Sequence, residues 1–145
     1  MTAPDSLREI ALDTETTGFA ADAGDRIVEI GCVELVNHMP TGRHFHEYIN
    51  PERDMPEQAE AIHGLSEEFL SDKPIFADVA EAFNDFIGDS ILIIHNADFD
   101  LGFLNAEREK TGQEPLSAER AIDTVALARR KFPGSQVNLD ALCRR

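Results

Sequence analysis

A chain of 145 residues, 42% of them hydrophobic, bounds a single domain long enough to bury its own core. Its 13 basic against 28 acidic residues, a net charge of −15, argue against wrapping duplex DNA by broad phosphate contact, which needs positive charge. A site that recruits divalent cations escapes that exclusion, because the cations bring the charge themselves.

The opening "MTAPDSLREI" has neither the basic start nor the apolar stretch of a secretory leader. The longest aliphatic run, Ile91 to Ile94, is far short of a membrane span, so a cytoplasmic protein is expected. Cys32 and Cys143 form no CxxC pair and read as small apolar filler, not as a zinc site or disulfide framework.

Three strands are predicted first, at Arg8 to Glu15, Arg26 to Val36 and Arg43 to Asn50. Gly18, Gly24, Pro40 and Gly42 punctuate the connections, which makes an antiparallel meander the economical reading. The first strand runs into "IALDTETTG", where Asp13 and Glu15, two residues apart, project from one face at the strand's C-terminal end. Two acids that close repel, and burying either one unpaired is costly, so something positive is expected between them. His44 and His46 alternate in "HFH" on an exposed strand and read as solvated, with no role assigned.

A short helix is predicted over Pro56 to Ile62, ahead of "HGLSEEFL". From Ile75 to Ile87 the set Ile75, Phe76, Val79, Ala80, Phe83, Phe86 and Ile87 follows helical spacing, so this helix covers one side of the sheet. "SILIIHN" is a fourth, buried strand, reached by a helical crossover and therefore parallel to the first; His95 at its end reads as a hydrogen-bonded core histidine. A helix from Phe99 to Lys110, a strand at Ala121 to Asp123 and a helix from Val125 to Phe132 follow. Asp123 is either the cap of that last helix or a group supporting the site. The cations of "RRKFPG" read as complements to the helix dipole. Asn138 is a good N-cap for a final helix of barely two turns in "NLDALCRR".

If strands one and four are parallel neighbours, their C-terminal ends meet at one edge, where Asp13 and Glu15 join an acid from "HNADFD". Ligands of α/β sheets favour that crevice, and carboxylates suit hard cations, so the expectation is a two-metal phosphoryl-transfer site. Asp98 is expected as the N-cap of the following helix, and Asp100, next to the apolar Phe99, as the inward acid.

"LDTETTG", "RIVEIG", "AIHGLS", "HNADFD" and "FPGSQVNLDALC", in that order, closely resemble the proofreading 3′–5′ exonuclease (epsilon) subunits of bacterial DNA polymerase III. These belong to the DEDD exonuclease superfamily. The likeness runs over essentially the whole chain. It implies an α/β, RNase H-like fold, with a mixed five-stranded sheet and flanking helices. It also implies hydrolysis of DNA 3′ ends with two divalent ions, Mg²⁺ or Mn²⁺, held by Asp13, Glu15 and Asp100. Thr14 and Thr16 would contribute to binding the terminal nucleotide, and His63 and Phe99 would line the pocket for the 3′ end. The implied partners are a single-stranded 3′ end of DNA, the polymerase alpha subunit and the other core-polymerase subunits.

The family's third motif, a histidine followed five residues later by an aspartate, has no counterpart here, and none of His38, His44, His46, His63 or His95 stands in the matching position. Residues 1–145 are therefore expected to form one exonuclease domain truncated before that motif, with part of the C-terminal helical region missing. Such a domain has three of four metal carboxylates and no histidine base. Two alternatives remain at this stage: an RNA 3′-end trimming enzyme of the same superfamily, and an inactive metal-binding polymerase accessory module.

Overall fold

The computed structural model describes residues 6–143, with the side chain of Asp140 outside the described residues. Residues 1–5, on which the reading of a missing leader partly rests, and the last two residues of the predicted terminal helix also lie outside them. Strands β1 (Arg8–Thr16), β2 (Ile27–Val36) and β3 (Met39–Tyr48) form the expected antiparallel meander. β4 (Ile91–Ile94) pairs parallel with β1 and β5 (Ala121–Asp123) parallel with β4, giving the order β3-β2-β1-β4-β5. Helices α1 (Glu57–His63), α2 (Glu67–Leu70) and α3 (Phe76–Ile87) bridge β3 to β4. α4 (Ala97–Lys110), α5 (Thr124–Lys131) and α6 (Leu139–Cys143) complete the chain. Among the described residues no helix is long and apolar enough to cross a membrane.

Three boundaries differ from the sequence expectation, each for a local reason. β3 begins at Met39 and runs through Pro40 and Gly42, which were expected in a turn. The turn is instead the two residues Asn37 and His38, both at positive φ (51° and 68°), which joins Val36 directly to Met39. Two-residue loops of that kind match the twist of the strands they join, and Asn tolerates the left-handed region well. Pro40 is accepted because β3 is an edge strand. The extra helical turn α2 forms where Ser66 caps the backbone N–H of Phe69 at 3.0 Å. α4 starts two residues before Phe99, so Asp98 lies in its first turn and is not its N-cap; the cap position is Asn96 at φ 67°.

One face of the sheet carries the core. Ile10 and Leu12 of β1, Ile30 and Cys32 of β2, and Leu92 and Ile94 of β4 pack with Phe76, Val79, Phe83 and Ile87 of α3 and with Leu101, Phe103 and Leu104 of α4. The α3 residues recur at the three- and four-residue spacing read from the sequence, and burying each large side chain is worth about 1.5–3 kcal/mol. Arg26, just before β2, and the buried Glu107 of α4 form a bidentate ion pair that fixes α4 against the start of β2. Removing one partner of such a pair strands a buried charge, at a cost of about 3–5 kcal/mol. The pair matters for function because α4 carries Asp100 in its first turn.

Candidate active site

β1 and β4 run side by side and parallel as far as the pair Leu12 and Ile94. Beyond it, β1 continues through Asp13, Thr14 and Glu15, while the segment after β4 turns at Asn96 into α4. The left-handed turn at Asn96 is held from β5: the Asp123 carboxylate accepts the backbone N–H groups of Asn96 and Ala97, both at 3.1 Å. Asp123 also caps α5 by accepting from Val125 at 2.8 Å, so one carboxylate fixes the entries of two helices. Burial alone would raise its pKa, but these backbone donors outweigh that and hold it below the usual carboxylate range.

Strand alternation puts Thr14 on the core face and Asp13 and Glu15 on the other. The Thr14 hydroxyl donates to Asp100 Oδ1 at 2.5 Å, and Asp100 is only 3% exposed, whereas Asp98 is exposed. Burial pushes the Asp100 carboxyl up to about 7; the Thr14 hydrogen bond opposes the rise, and the charges of Asp13 and Glu15 add to it. Asp13 is raised by burial and by Glu29, against the backbone N–H of Thr14 and His95, which lower it. Glu15 is raised by burial, then by Asp13 and Glu29. The three acids thus feel one another at a single sheet edge, as parallel β1 and β4 require.

Among the described residues, no three His, Cys, Asp or Glu side chains stand arranged to hold a metal ion. Like charges repel, and one Asp100 oxygen is engaged by Thr14. The donor set itself fits a hard divalent cation: carboxylate oxygens from two elements, each raised in pKa by the others' charge or by burial.

A cleft of about 500 Å³ adjoins these acids. Thr14, Glu15, Thr16, His63 and Phe99 all line it, so five of the seven candidate residues share one cavity. Asp13 opens instead onto a neighbouring groove with Gly31, His44, His46 and His95. The His63 ring accepts from the backbone N–H of Leu65 at Nδ1, 3.0 Å, which leaves the Nε2 proton to donate to the Thr16 carbonyl at 3.1 Å. Both ring nitrogens are occupied in orienting the ring across the cleft. His95 is half-buried and bonded through Nδ1 to the Thr124 hydroxyl at 2.9 Å.

Among the cleft residues that the sequence reading did not assign to the site are two large apolar ones, Phe19 and Ile62, 79% and 70% exposed. Phe19 meets Phe99 edge to face at 6.2 Å between centroids. Its loop is held by Asp25, which accepts from the Thr17 hydroxyl and the Ala20 N–H, and a Cβ at Gly18 would collide with that carboxylate. The sequence signal was a large apolar residue directly after "DTETTG", with no periodic pattern to bury it.

The position of Asp100 sets a pH dependence. If Asp100 holds a cation, protons compete with it for the carboxylate, so Mn²⁺ affinity is then expected to rise toward pH 7, by up to about tenfold per unit for one displaced proton, and to level off above it. The native carboxyl keeps a proton between 3.8 and about 7 that the unfolded chain has released. Its contribution to stability therefore falls as pH rises through that window. Calorimetry across the range, with Asp100→Asn lacking the step, checks both.

A family model described as Exonuclease matches residues 10–145. The chain is 59% identical over 143 residues to the DNA polymerase III subunit epsilon of Rickettsia conorii, covering 97% of this chain and 62% of that protein. It is 45% identical over 145 residues to the DNA polymerase III subunit epsilon of Escherichia coli (strain K12), covering 95% and 60%. Among solved structures, exonuclease X in complex with 5′ overhanging duplex DNA is 29% identical, with a TM-score of 0.72 over 94% of this chain and 71% of that one. The chain spans about three fifths of the length of the curated relatives it matches. Its mixed five-stranded sheet with flanking helices is the RNase H-like exonuclease arrangement.

Proposed function

The chain belongs to the exonuclease family, and on that premise we propose that it removes nucleotides from the 3′ end of DNA as the proofreading component of a replicative polymerase. The observation that supports the reading is that Asp100, bonded to Thr14, feels the charges of Asp13 and Glu15 from the end of β1, beside a cleft lined by Glu15, Phe99 and His63.

Asp13, Glu15 and Asp100 would hold two divalent ions, Mg²⁺ or Mn²⁺. When bound, such ions activate water and stabilise charge on the scissile phosphate and the departing 3′-oxygen. The chain's own residues do the rest. Thr14 orients Asp100 from the core side. Thr16, whose carbonyl fixes the His63 ring, joins His63 and Phe99 in enclosing the terminal nucleotide. Stacking on an aromatic face needs no positive surface, which suits a chain of net charge −15. The relatives' names as DNA polymerase III subunits support a polymerase complex as the setting, and the alpha subunit is the partner proposed within it.

The test is binding of a single-stranded oligonucleotide with a free 3′ end, in DNA and RNA versions, to the protein and to Phe99→Ala. Losing one stacking face is worth about 1–3 kcal/mol, so Phe99→Ala is expected to weaken DNA binding about tenfold while Mn²⁺ binding persists. Unchanged DNA affinity in folded Phe99→Ala would return Phe99 to a packing role, and tighter binding of the RNA would favour an RNA-trimming enzyme.

A further inference from the structure

Beside Asp13 and Glu15 stands a fourth acid that motif spacing does not single out. In the β1–β2 register Glu29 lies directly opposite Glu15, and Gly31 lies opposite Asp13. Period two puts Asp13, Glu15 and Glu29 on one sheet face. Gly31 contributes no side chain, and a Cβ there would meet no atom within 4 Å, so Asp13 has room on the side toward β3. Across that gap, His46 of β3 pairs with Gly31 in register, and its Nε2 lies 2.5 Å from Glu29 Oε2. His46 is braced in turn: Tyr48 meets its ring edge to face at 4.7 Å, and Phe69 of α2 meets Tyr48 at 5.0 Å.

We infer that Glu29, steadied by His46, is a positioning residue for the acidic site, an outer carboxylate that strengthens cation binding at Asp13 and Glu15 and orients their hydration. The inference rests on the metal site of the proposed function. Both Asp13 and Glu15 feel the Glu29 charge. Glu29 and His46 are part exposed, with side chains 25% and 42% accessible, and pairs that open to water add little to stability. A purely structural purpose therefore explains the pair poorly. Its bracing and its register beside the site are explained if it acts on what Asp13 and Glu15 bind.

Mn²⁺ alone is the probe, by calorimetry at about pH 8. A carboxylate roughly 7 Å from a divalent cation in water-like surroundings changes affinity about five- to tenfold. Glu29→Gln is expected to lose that factor with its melting temperature nearly unchanged. The difference should shrink in about 1 M salt, where screening acts over about 3 Å. His46→Gln, which keeps an N–H donor, should bind Mn²⁺ like the parent, while His46→Phe should fall toward Glu29→Gln. Mn²⁺ binding that is lost in Asp13→Ala but equal in parent and Glu29→Gln would overturn the role of Glu29 alone. No Mn²⁺ binding by the parent chain would remove the metal site and this inference with it. A loss in Glu29→Gln that salt leaves unchanged would also overturn it, since the effect would not be electrostatic.

Discussion

Extended by a segment that carries a histidine followed five residues later by an aspartate, the chain is expected to hydrolyse a single-stranded DNA 3′ end about 10²–10⁴ times faster than the 145 residues alone. The reason lies in the histidines the structure describes. His63 spends both ring nitrogens on the backbone, His95 is bonded to Thr124, and His46 to Glu29. His44 contacts the Gly42 carbonyl at 3.4 Å and His38 pairs with Glu9, at the hairpin end of β2 and β3. Of these only His63 lines the cleft with Glu15 and Phe99, and both of its ring nitrogens are taken, so none of the five is expected to serve as the base. Single-turnover release of nucleoside monophosphate, with protein in excess over a labelled oligonucleotide, measures the ratio. Equal rates for the two chains would mean that a group within residues 1–145 activates the water.

In that extended chain Asp100→Asn is expected to lower the rate by about a thousandfold, and Asp98→Asn by less than about threefold. Charge stabilisation by a positioned metal is worth several kcal/mol, and each 1.36 kcal/mol is tenfold in rate. Asp100 is buried, bonded to Thr14 and coupled to Asp13 and Glu15, so replacing its charge acts directly on the site. Asp98 is exposed in the first turn of α4. An acid there interacts favourably with the helix N-terminus, by about 0.3–1 kcal/mol. Rate measurements at saturating Mg²⁺ on the folded variants separate the two residues, and comparable losses would give Asp98 an equal part.

What was legible in the sequence is what period and local chemistry encode. The alternation of Asp13, Thr14 and Glu15 and the helical spacing of Phe76, Val79, Ala80, Phe83 and Ile87 need no partner to be read, and the structure follows both. The direction of β4 followed from the long crossover before it. What could not be read depends on register between distant segments. Asp123 reaches the N-terminus of α4 only because β5 pairs with β4 so that Asp123 stands beside Ile94. That contact moves the helix start ahead of Asp98 and removes its expected capping role. Glu29 joins Asp13 and Glu15 through the β1–β2 register, and His46 reaches Glu29 through the β2–β3 register set by the turn at Asn37 and His38. The histidines of "HFH" read as solvated because they lie on an exposed strand, and both are exposed; the contact of His46 with Glu29 is the part that register alone reveals.

In the proposed mechanism, carboxylates of β1 and α4 form one divalent-cation site. Calorimetric titration of Mn²⁺ into the protein, into Asp13→Ala and into Asp100→Asn tests it most directly, because it needs neither substrate nor turnover. Saturable binding is expected for the unsubstituted chain at about pH 8, abolished in Asp13→Ala and strongly weakened in Asp100→Asn, with all three proteins folded. Equal Mn²⁺ binding by the protein and by both variants would contradict it, and would place any bound ion away from the ends of β1 and β4.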